Sequence, residues 1–187
     1  MAKVRFHIHI IVSIVLLINF LAPVNAVNMR FYDAEQLSSN LITGICQAQN
    51  GYVWIGTEYG LNKFDGVRFI TYYNDEDNGM SLGDNIIRKL LISKKGELWI
   101  VTNRGVQRYL PDKDHFQTVR FNGELTANVD NISETPDGHI WLFDMAHGLM
   151  EIDEQQMNIR TLDQLNKLIN LEQVGRIFVD HRYRLWV

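Results

Sequence analysis

Few residues of this chain have the types and spacing that chemistry requires. Metal binding and acid–base catalysis both favour histidine, and four histidines lie beyond the N-terminal segment: His115, His139, His147 and His181. They are too scattered to form a ligand motif such as two histidines four residues apart on a helix. We therefore interpret them as turn or surface residues, and predict no metal site, no cofactor and no catalytic residue.

Two other candidates for chemistry are equally weak. The acidic segment 74–85 (NDEDNGMSLGDN) lacks the alternate carboxylate and amide positions, followed directly by glycine, that define a calcium loop. Cys46 is the only cysteine, which excludes an internal disulfide, and its apolar surroundings (LITGIC) indicate a buried, unreactive thiol. Tyr59, Tyr72 and Tyr73 lie near predicted loop ends and could bind a sugar face, but we favour packing between sheets for each.

The elements that must position these residues follow a regular repeat. The four tryptophans of the chain are separated by 45, 42 and 45 residues: Trp54, Trp99, Trp141 and Trp186. Each lies in a similar frame: NGYVWIGTEYGL, KGELWIVTNRGV, DGHIWLFDMAHGL and YRLWV. A period of this length, built from short β-type segments, indicates a β-propeller in which each repeat is one blade.

Each unit reads as four short strands separated by Gly, Pro, Asn and Asp turns, which predicts an all-β fold of four-stranded antiparallel blades. The strand around each tryptophan is apolar at successive positions, as burial on both faces requires. A β-sandwich is the alternative, but it does not explain the fixed period. In the second unit we expect the fourth strand over 115–121. We expect about three complete blades and a partial fourth, over approximately 37–73, 82–121, 128–162 and 174–187.

Glycines recur at two places in the unit, and with the tryptophans they are the predicted structural anchors of the repeat. One set lies three residues before the tryptophan, where a tight hairpin needs a positive φ: Gly51, Gly96 and Gly138. Tyr183 takes this place in the fourth unit, so its turn must be either wider or strained. The other set starts the third strand: Gly60, Gly105 and Gly148.

Two segments depart from the repeat, the acidic segment 74–85 and the segment 162–171 (LDQLNKLINL). Apolar residues at helical spacing in the second predict a short helical turn. Insertions of this kind fall on one face of a propeller, where they either form part of a binding site or serve as solvated connectors. The sequence leaves both interpretations open and identifies no ligand-binding residue.

The first 26 residues have the pattern of a secretory signal peptide. Lys3 and Arg5 form a basic start, an apolar stretch follows, and Pro23 precedes a cleavage site after Ala26. An uncleaved membrane anchor is the alternative. We therefore expect residues 27–187 to be a partial propeller in the periplasm. Because the fourth repeat stops one residue after Trp186, we expect the ring to be incomplete in this sequence.

The charge balance excludes one class of partner. The formal net charge is −4 at pH 7, and it becomes −6 when Lys3 and Arg5 are removed with the leader. The sequence contains no cluster of Lys and Arg, and nucleic-acid binding depends on a basic patch. We therefore expect no nucleic acid to bind this segment.

The segment 37–66 (LSSNLITGICQAQNGYVWIGTEYGLNKFDG) closely resembles the two-component regulator propeller repeat. The pattern of that family runs Leu-Ser-Ser-Asn, an apolar strand, a turn with glycine, Trp-Ile-Gly-Thr, Gly-Leu-Asn and Phe-Asp-Gly, and the first unit matches nearly all of it. The second unit keeps Leu82, Asn85, Gly96, Trp99, Ile100, Thr102 and Gly105. The third keeps Asn128, Gly138, Trp141 and Gly148, but has Leu142-Phe143-Asp144 in place of the usual ending.

The resemblance implies the N-terminal sensor segment of a hybrid two-component histidine kinase. In that family, two propellers, a β-sandwich and one transmembrane helix precede a cytoplasmic output, which in some relatives is a diguanylate cyclase. The resemblance also implies a homodimeric receptor that detects an oligosaccharide and regulates transcription. The remaining blades and the output would lie outside this sequence, and we expect no enzymatic activity of the segment itself. An exported carbohydrate-active enzyme and a protein-binding propeller are the alternatives.

Overall fold

The computed structural model of the chain describes residues 36–126, 129–170 and 174–187. The predicted signal peptide lies outside these ranges. Within them, short antiparallel strands dominate, and the one α-helix is the four-residue α1 (Asp163–Asn166), inside the segment where a helical turn is predicted. No helix in the described part of the chain has the length and apolar character that crossing a bilayer requires.

The first blade is a four-stranded antiparallel meander with strand order β1-β2-β3-β4. Its strands are β1 (Ile42–Gln47), β2 (Val53–Thr57), β3 (Gly60–Phe64) and β4 (Phe69–Tyr72). The second blade repeats this order with β5 (Ile87–Ile92), β6 (Leu98–Thr102), β7 (Gly105–Leu110) and β8 (His115–Thr118). The blade architecture predicted from the tryptophan period is therefore confirmed.

The end of the second blade differs from the expectation of one strand over 115–121. β8 stops at Thr118, and β9 (Arg120–Phe121) turns back through Asn122 and Gly123 to pair with β10 (Glu124–Leu125). The strand divides because the N–H of Val119 still donates to Val106 of its own blade, at 2.9 Å, whereas the N–H of Arg120 donates to the carbonyl of Met157, at 3.1 Å, in the third blade.

The third blade consists of β11 (Val129–Glu134), β12 (Ile140–Asp144), β13 (Gly148–Asp153) and β14 (Asn158–Thr161). The pairing of β9 with β14 extends it to a six-stranded sheet of order β10-β9-β14-β13-β12-β11. The start of a fourth unit follows as a two-stranded hairpin of β15 (Phe178–Val179) and β16 (Leu185–Trp186).

The hydrophobic core lies in layers between blades. On β6, Leu98 and Ile100 pack toward the first blade against Trp54, whereas Trp99 and Val101 pack toward the third blade. Phe143 of β12 in turn packs on Ile177 of the fourth unit. Successive side chains of a strand point to opposite faces, so the tryptophan-bearing strands β2, β6 and β12 of the first three blades bury both of their faces, as their sequences predict.

Polar contacts join the blades at their inner strands and turns. Arg88 of β5 forms an ion pair with Asp130 of β11, with 3.2 Å between guanidinium and carboxylate. The ammonium of Lys94 donates to the carbonyl of Pro136 at 2.7 Å, and the N–H of Val179 donates to the hydroxyl of Ser133 at 3.2 Å. These contacts fix the angle between neighbouring sheets and therefore the shape of any cavity between them.

Candidate functional site

The antiparallel topology gives the blades two ends with different connections. At one end lie the turns between the first and second strands and between the third and fourth, which we call the turn face. At the other end, the connector face, lie the turns between the second and third strands and the links from one blade to the next, including the segment 74–85. A cavity opens on each face.

The cavity on the connector face has a volume of about 400 Å³. Its wall is the segment 74–83, which is held in place by the buried amide of Gln107. The Gln107 carbonyl oxygen accepts from the N–H of Gly83 at 2.7 Å, and its NH2 group donates to the carbonyl of Ser81 at 3.2 Å. The acidic insertion is therefore an ordered wall. Its two carboxylates, Asp75 and Glu76, share the lining with two arginines, Arg104 and Arg120.

The acidic and histidine side chains of the described residues are dispersed. Within residues 36–126, 129–170 and 174–187, no group of three or more His, Cys, Asp or Glu side chains is placed to hold an ion.

The cavity on the turn face is larger, about 510 Å³, and lies between the first and second blades. We call it the aromatic cavity, since aromatic rings and charged groups dominate its lining: Tyr52, Trp54, Lys63, Lys95, Glu97, Arg108 and Tyr109. An apolar concave surface with a few placed polar groups is the usual form of a small-ligand site.

Lys63 stands among the rings of the aromatic cavity. Its ammonium lies 4.5 Å from the ring centre of Tyr52, 5.3 Å from that of Trp54 and 5.2 Å from that of Tyr109. It also donates a hydrogen bond to the Tyr109 hydroxyl at 3.1 Å. The negative faces of aromatic rings attract such a cation, so the rings fix the ammonium at the cavity wall.

A hydrogen-bond network behind Lys63 ties the two blades together. The hydroxyls of Tyr109 and Tyr72 both donate to the carboxylate of Asp114, the latter at 2.7 Å. Burial is the main cause that raises the pKa of both tyrosines, so both stay protonated. Burial also acts to raise the pKa of Asp114, but the two hydroxyl donors outweigh it and lower that pKa, so Asp114 stays ionised.

The far wall of the aromatic cavity carries an ion pair. Arg108 donates to Glu97 at 3.0 Å and to the side-chain oxygen of Gln117 at 3.1 Å. The Arg108 Nε and the second Glu97 oxygen are buried and have no partner among the described residues. Buried polar atoms without partners are uncommon, so this wall retains hydrogen-bonding capacity.

A third cavity, of about 410 Å³, lies at the corresponding place between the second and third blades. Its charged groups are paired with one another. Glu151 contacts His139 at 2.7 Å and Arg160 at 3.0 Å, and Lys95 contacts Glu154 at 2.8 Å. It lacks the aromatic lining of the first interblade cavity.

The comparisons with known proteins agree with this architecture. Residues 36–59 match the family model described as two component regulator propeller. The chain therefore carries a two-component regulator propeller repeat. Over 58 residues it is 38% identical to Histidine kinase P4 of Formosa agariphila, a match that covers 31% of this chain and 4% of that protein.

Solved structures show the same fold. The extracellular domain of a B. thetaiotaomicron protein named as a hybrid two-component system superposes with a TM-score of 0.68 at 25% identity, over 79% of this chain and 22% of that one. A second B. thetaiotaomicron extracellular domain, named as part of a one-component system, gives 0.67 at 20% identity over 85% of this chain and 24% of that one. Virginiamycin B lyase of Staphylococcus aureus superposes with a TM-score of 0.56 at 21% identity, over 78% of this chain and 47% of that one. The chain thus spans less than half the length of each.

The tryptophan anchors of the two-component regulator propeller repeat occupy different environments. Trp54 and Trp99 are buried between blades, Trp141 is half-buried, and Trp186 keeps 54% of its surface exposed. The third strand of each complete blade starts at its predicted glycine: Gly60, Gly105 and Gly148.

The predicted turn glycines all adopt a positive φ, which is 89° at Gly51, 83° at Gly96 and 91° at Gly138. In each turn, the N–H of the glycine donates to the carbonyl three residues earlier. Tyr183 makes the same bond to Asp180, and its φ is 58°. The turn at Tyr183 is therefore the same turn with a strained residue, and not a wider one.

The remaining predicted residues separate into buried and surface groups. Tyr72 packs between blades against Trp54 and Phe116, as predicted. The same prediction is wrong for Tyr59 and Tyr73, which form an exposed edge-to-face pair. Burial raises the pKa of the Cys46 thiol to about 11.

Of the four histidines, three lie at turns or on the surface, and His115 is half-buried at the start of β8. His139 contacts the carboxylates of Glu151 and Asp137, and His147 contacts that of Asp144. Sequence reasoning missed Tyr52, Lys63 and Tyr109. A signal was present for Lys63, which follows Trp54 by the same interval as Arg108 follows Trp99.

Proposed function

We propose that this chain is the ligand-sensing propeller segment of a periplasmic receptor of the two-component type. The observation that carries the proposal is the regulator propeller repeat at residues 36–59, within blades that superpose on an extracellular domain named as part of a hybrid two-component system. The relative named as a histidine kinase supports a kinase output encoded beyond these residues. In this proposal, the propeller segment binds the ligand and a separate domain transmits the signal.

We propose that the ligand is an oligosaccharide and that it binds in the aromatic cavity. Tyr52 offers a half-exposed ring at the rim, and the polar groups of Lys63, Glu97 and Arg108 lie within one cavity of about 510 Å³. Aromatic faces cover the apolar face of a sugar, and charged or polar groups bind its hydroxyls. Binding energy at this place would shift the receptor between its two signalling states.

Calorimetric titration of the purified protein with a panel of neutral and acidic oligosaccharides tests the ligand class. We expect binding by at least one member, and loss of that binding in Tyr52→Ala. Tyr59→Ala is the matched control, because Tyr59 is an exposed tyrosine on the opposite face and its loss leaves the cavity intact. Equal losses in the two variants would contradict the assignment of the cavity.

The location and the output need separate measurements. Alkaline phosphatase fused after residue 26 should be active only if residues 1–26 export it, and an inactive fusion would contradict a periplasmic location.

In the source bacterium, Tyr52→Ala in the full-length receptor should abolish the transcriptional response to the bound oligosaccharide. Cross-linking of that receptor should give a homodimer, which we also propose.

A further inference from the structure

Lys63 differs from the other cations of the aromatic cavity because it has no direct ion pair with a carboxylate. Arg108 is paired with Glu97 at 3.0 Å, and Lys95 with Glu154 at 2.8 Å. No carboxylate of the described residues lies within 4 Å of the Lys63 ammonium, which contacts only the Tyr109 hydroxyl and three rings. The nearest carboxylate of the network, Asp114, reaches Lys63 only through the Tyr109 hydroxyl, so the cavity presents an ammonium without a direct ion pair.

The repeat shows why this charge is unpaired. The residue opposite the tryptophan on the neighbouring strand is Lys63, Arg108 or Glu151 in the three blades. In the second blade its partner is Glu97, two residues before Trp99, and in the third it is His139, two residues before Trp141. In the first blade the corresponding residue is Tyr52, which supplies a ring in place of a charge.

The geometry leaves donors available to a ligand. An ammonium has three N–H donors, and protein atoms take one of those of Lys63, through Tyr109. The charged and titratable groups near Lys63 on the second blade are Tyr109, whose hydroxyl is neutral, Asp114 behind it, and Glu97, which is held by Arg108. The two remaining donors have no acceptor among the described residues, and Lys63 is half-buried, where hydrogen bonds to a charged acceptor are stronger than in open water.

We propose that the oligosaccharide bound in this cavity is acidic, and that Lys63 binds its carboxylate or sulfate group. This inference rests on the proposed function, and it names the class of sugar that the same cavity selects. The net charge of the whole chain is negative, so general attraction of anions does not account for such selectivity. It must come from the local arrangement of Lys63 among Tyr52, Trp54 and Tyr109.

The test compares each acidic oligosaccharide with its own neutral counterpart on the wild-type protein. Uronate-containing oligosaccharides are titrated beside their methyl esters, and sulfated ones beside their desulfated forms, so that the two arms distinguish carboxylate from sulfate. We expect at least one acidic member to bind about ten- to a hundredfold more tightly than its counterpart, as one charge-assisted hydrogen bond allows. The difference should shrink as NaCl is raised.

Three variants locate the charge. Lys63→Met keeps the length of the side chain. Its affinity for the acidic ligand should fall by about the same ten- to hundredfold, while its affinity for the neutral counterpart should not change. Lys63→Arg should retain the preference for the acidic ligand. Lys167→Met is the matched control, because Lys167 is an exposed lysine at the end of α1, away from the cavity. Thermal unfolding of each variant verifies that it is folded.

The outcomes separate the inference from the proposed function. Binding of neutral oligosaccharides alone, or equal binding of an acidic member and its counterpart, overturns the role of Lys63 and leaves the oligosaccharide sensor standing. Unchanged binding by a folded Lys63→Met overturns it as well. Absence of binding by every member of the panel overturns the oligosaccharide ligand and this inference together.

Discussion

Replacement of Gly51 by alanine should measure how much a side chain at the positive-φ position of the repeated turn destabilises the fold. Gly51 has a φ of 89°, and a Cβ placed there would meet no heavy atom within 4 Å. A side chain in this left-handed conformation costs about 1–2 kcal/mol. Alanine also restricts the unfolded chain, which stabilises the fold by about 0.4–1 kcal/mol. Gly51→Ala should therefore lower the free energy of unfolding by about 1 kcal/mol.

Gly79 provides the matched control for this measurement. A Cβ at Gly79 also meets nothing within 4 Å, but the φ of Gly79 lies outside the left-handed range. Gly79→Ala should therefore leave the stability unchanged or raise it slightly. Urea unfolding followed by circular dichroism gives the midpoint and the free energy of unfolding of both variants. In thermal unfolding, a change of 1 kcal/mol corresponds to about 2–4 °C in Tm for a chain of this size. Equal midpoints for Gly51→Ala and Gly79→Ala would refute the reasoning.

Three further changes should have measurable effects. Tyr183→Gly should raise the free energy of unfolding by less than about 1 kcal/mol, since it relieves the left-handed strain at an exposed side chain but loosens the unfolded chain; a lower free energy of unfolding would contradict this. The Cys46 thiol, with its pKa raised to about 11, should react with iodoacetamide about a hundredfold more slowly at pH 8 than the unfolded chain does, and mass spectrometry measures the rate. Because the pKa of Asp114 is lowered, its hydrogen bond from Tyr72 should stabilise the fold above about pH 4 and lose that effect as the pH falls through the folded pKa. Urea midpoints of wild type and Asp114→Asn should accordingly converge on acidification, and a constant difference would argue against this role.

Most of the blade architecture could be predicted from the sequence because it depends on local patterns. The turn glycines, the doubly apolar strands and the tryptophan period each determine structure within a single repeat. The division of the strand predicted over 115–121 depends instead on a contact between blades, from the N–H of Arg120 to the carbonyl of Met157. Such a contact leaves no periodic signal in the residues on either side.

The aromatic cavity was only partly predictable for the same reason. Lys63 faces Trp54 across one hairpin, so the spacing of these two residues indicates their contact. Tyr109, by contrast, comes from the next blade, and its position at the Lys63 ammonium depends on how two sheets stack. That stacking is set by interblade packing around Trp54 and by the hydrogen bonds of Tyr72 and Tyr109 to Asp114.

Specificity in this fold must arise where the repeats differ. The equivalent pair of positions holds an arginine with a glutamate in the second blade and a glutamate with a histidine in the third, and each pair is joined by a direct ion contact. The first blade places Lys63 beside Tyr52, so the same backbone frame presents an ammonium without a direct carboxylate partner. A ring of similar blades can therefore keep one scaffold and change its ligand by replacing the partner two residues before the tryptophan. That partner is half-buried in the first two blades and exposed in the third, and it does not belong to the apolar clusters between blades, so we expect its replacement to leave those layers in place.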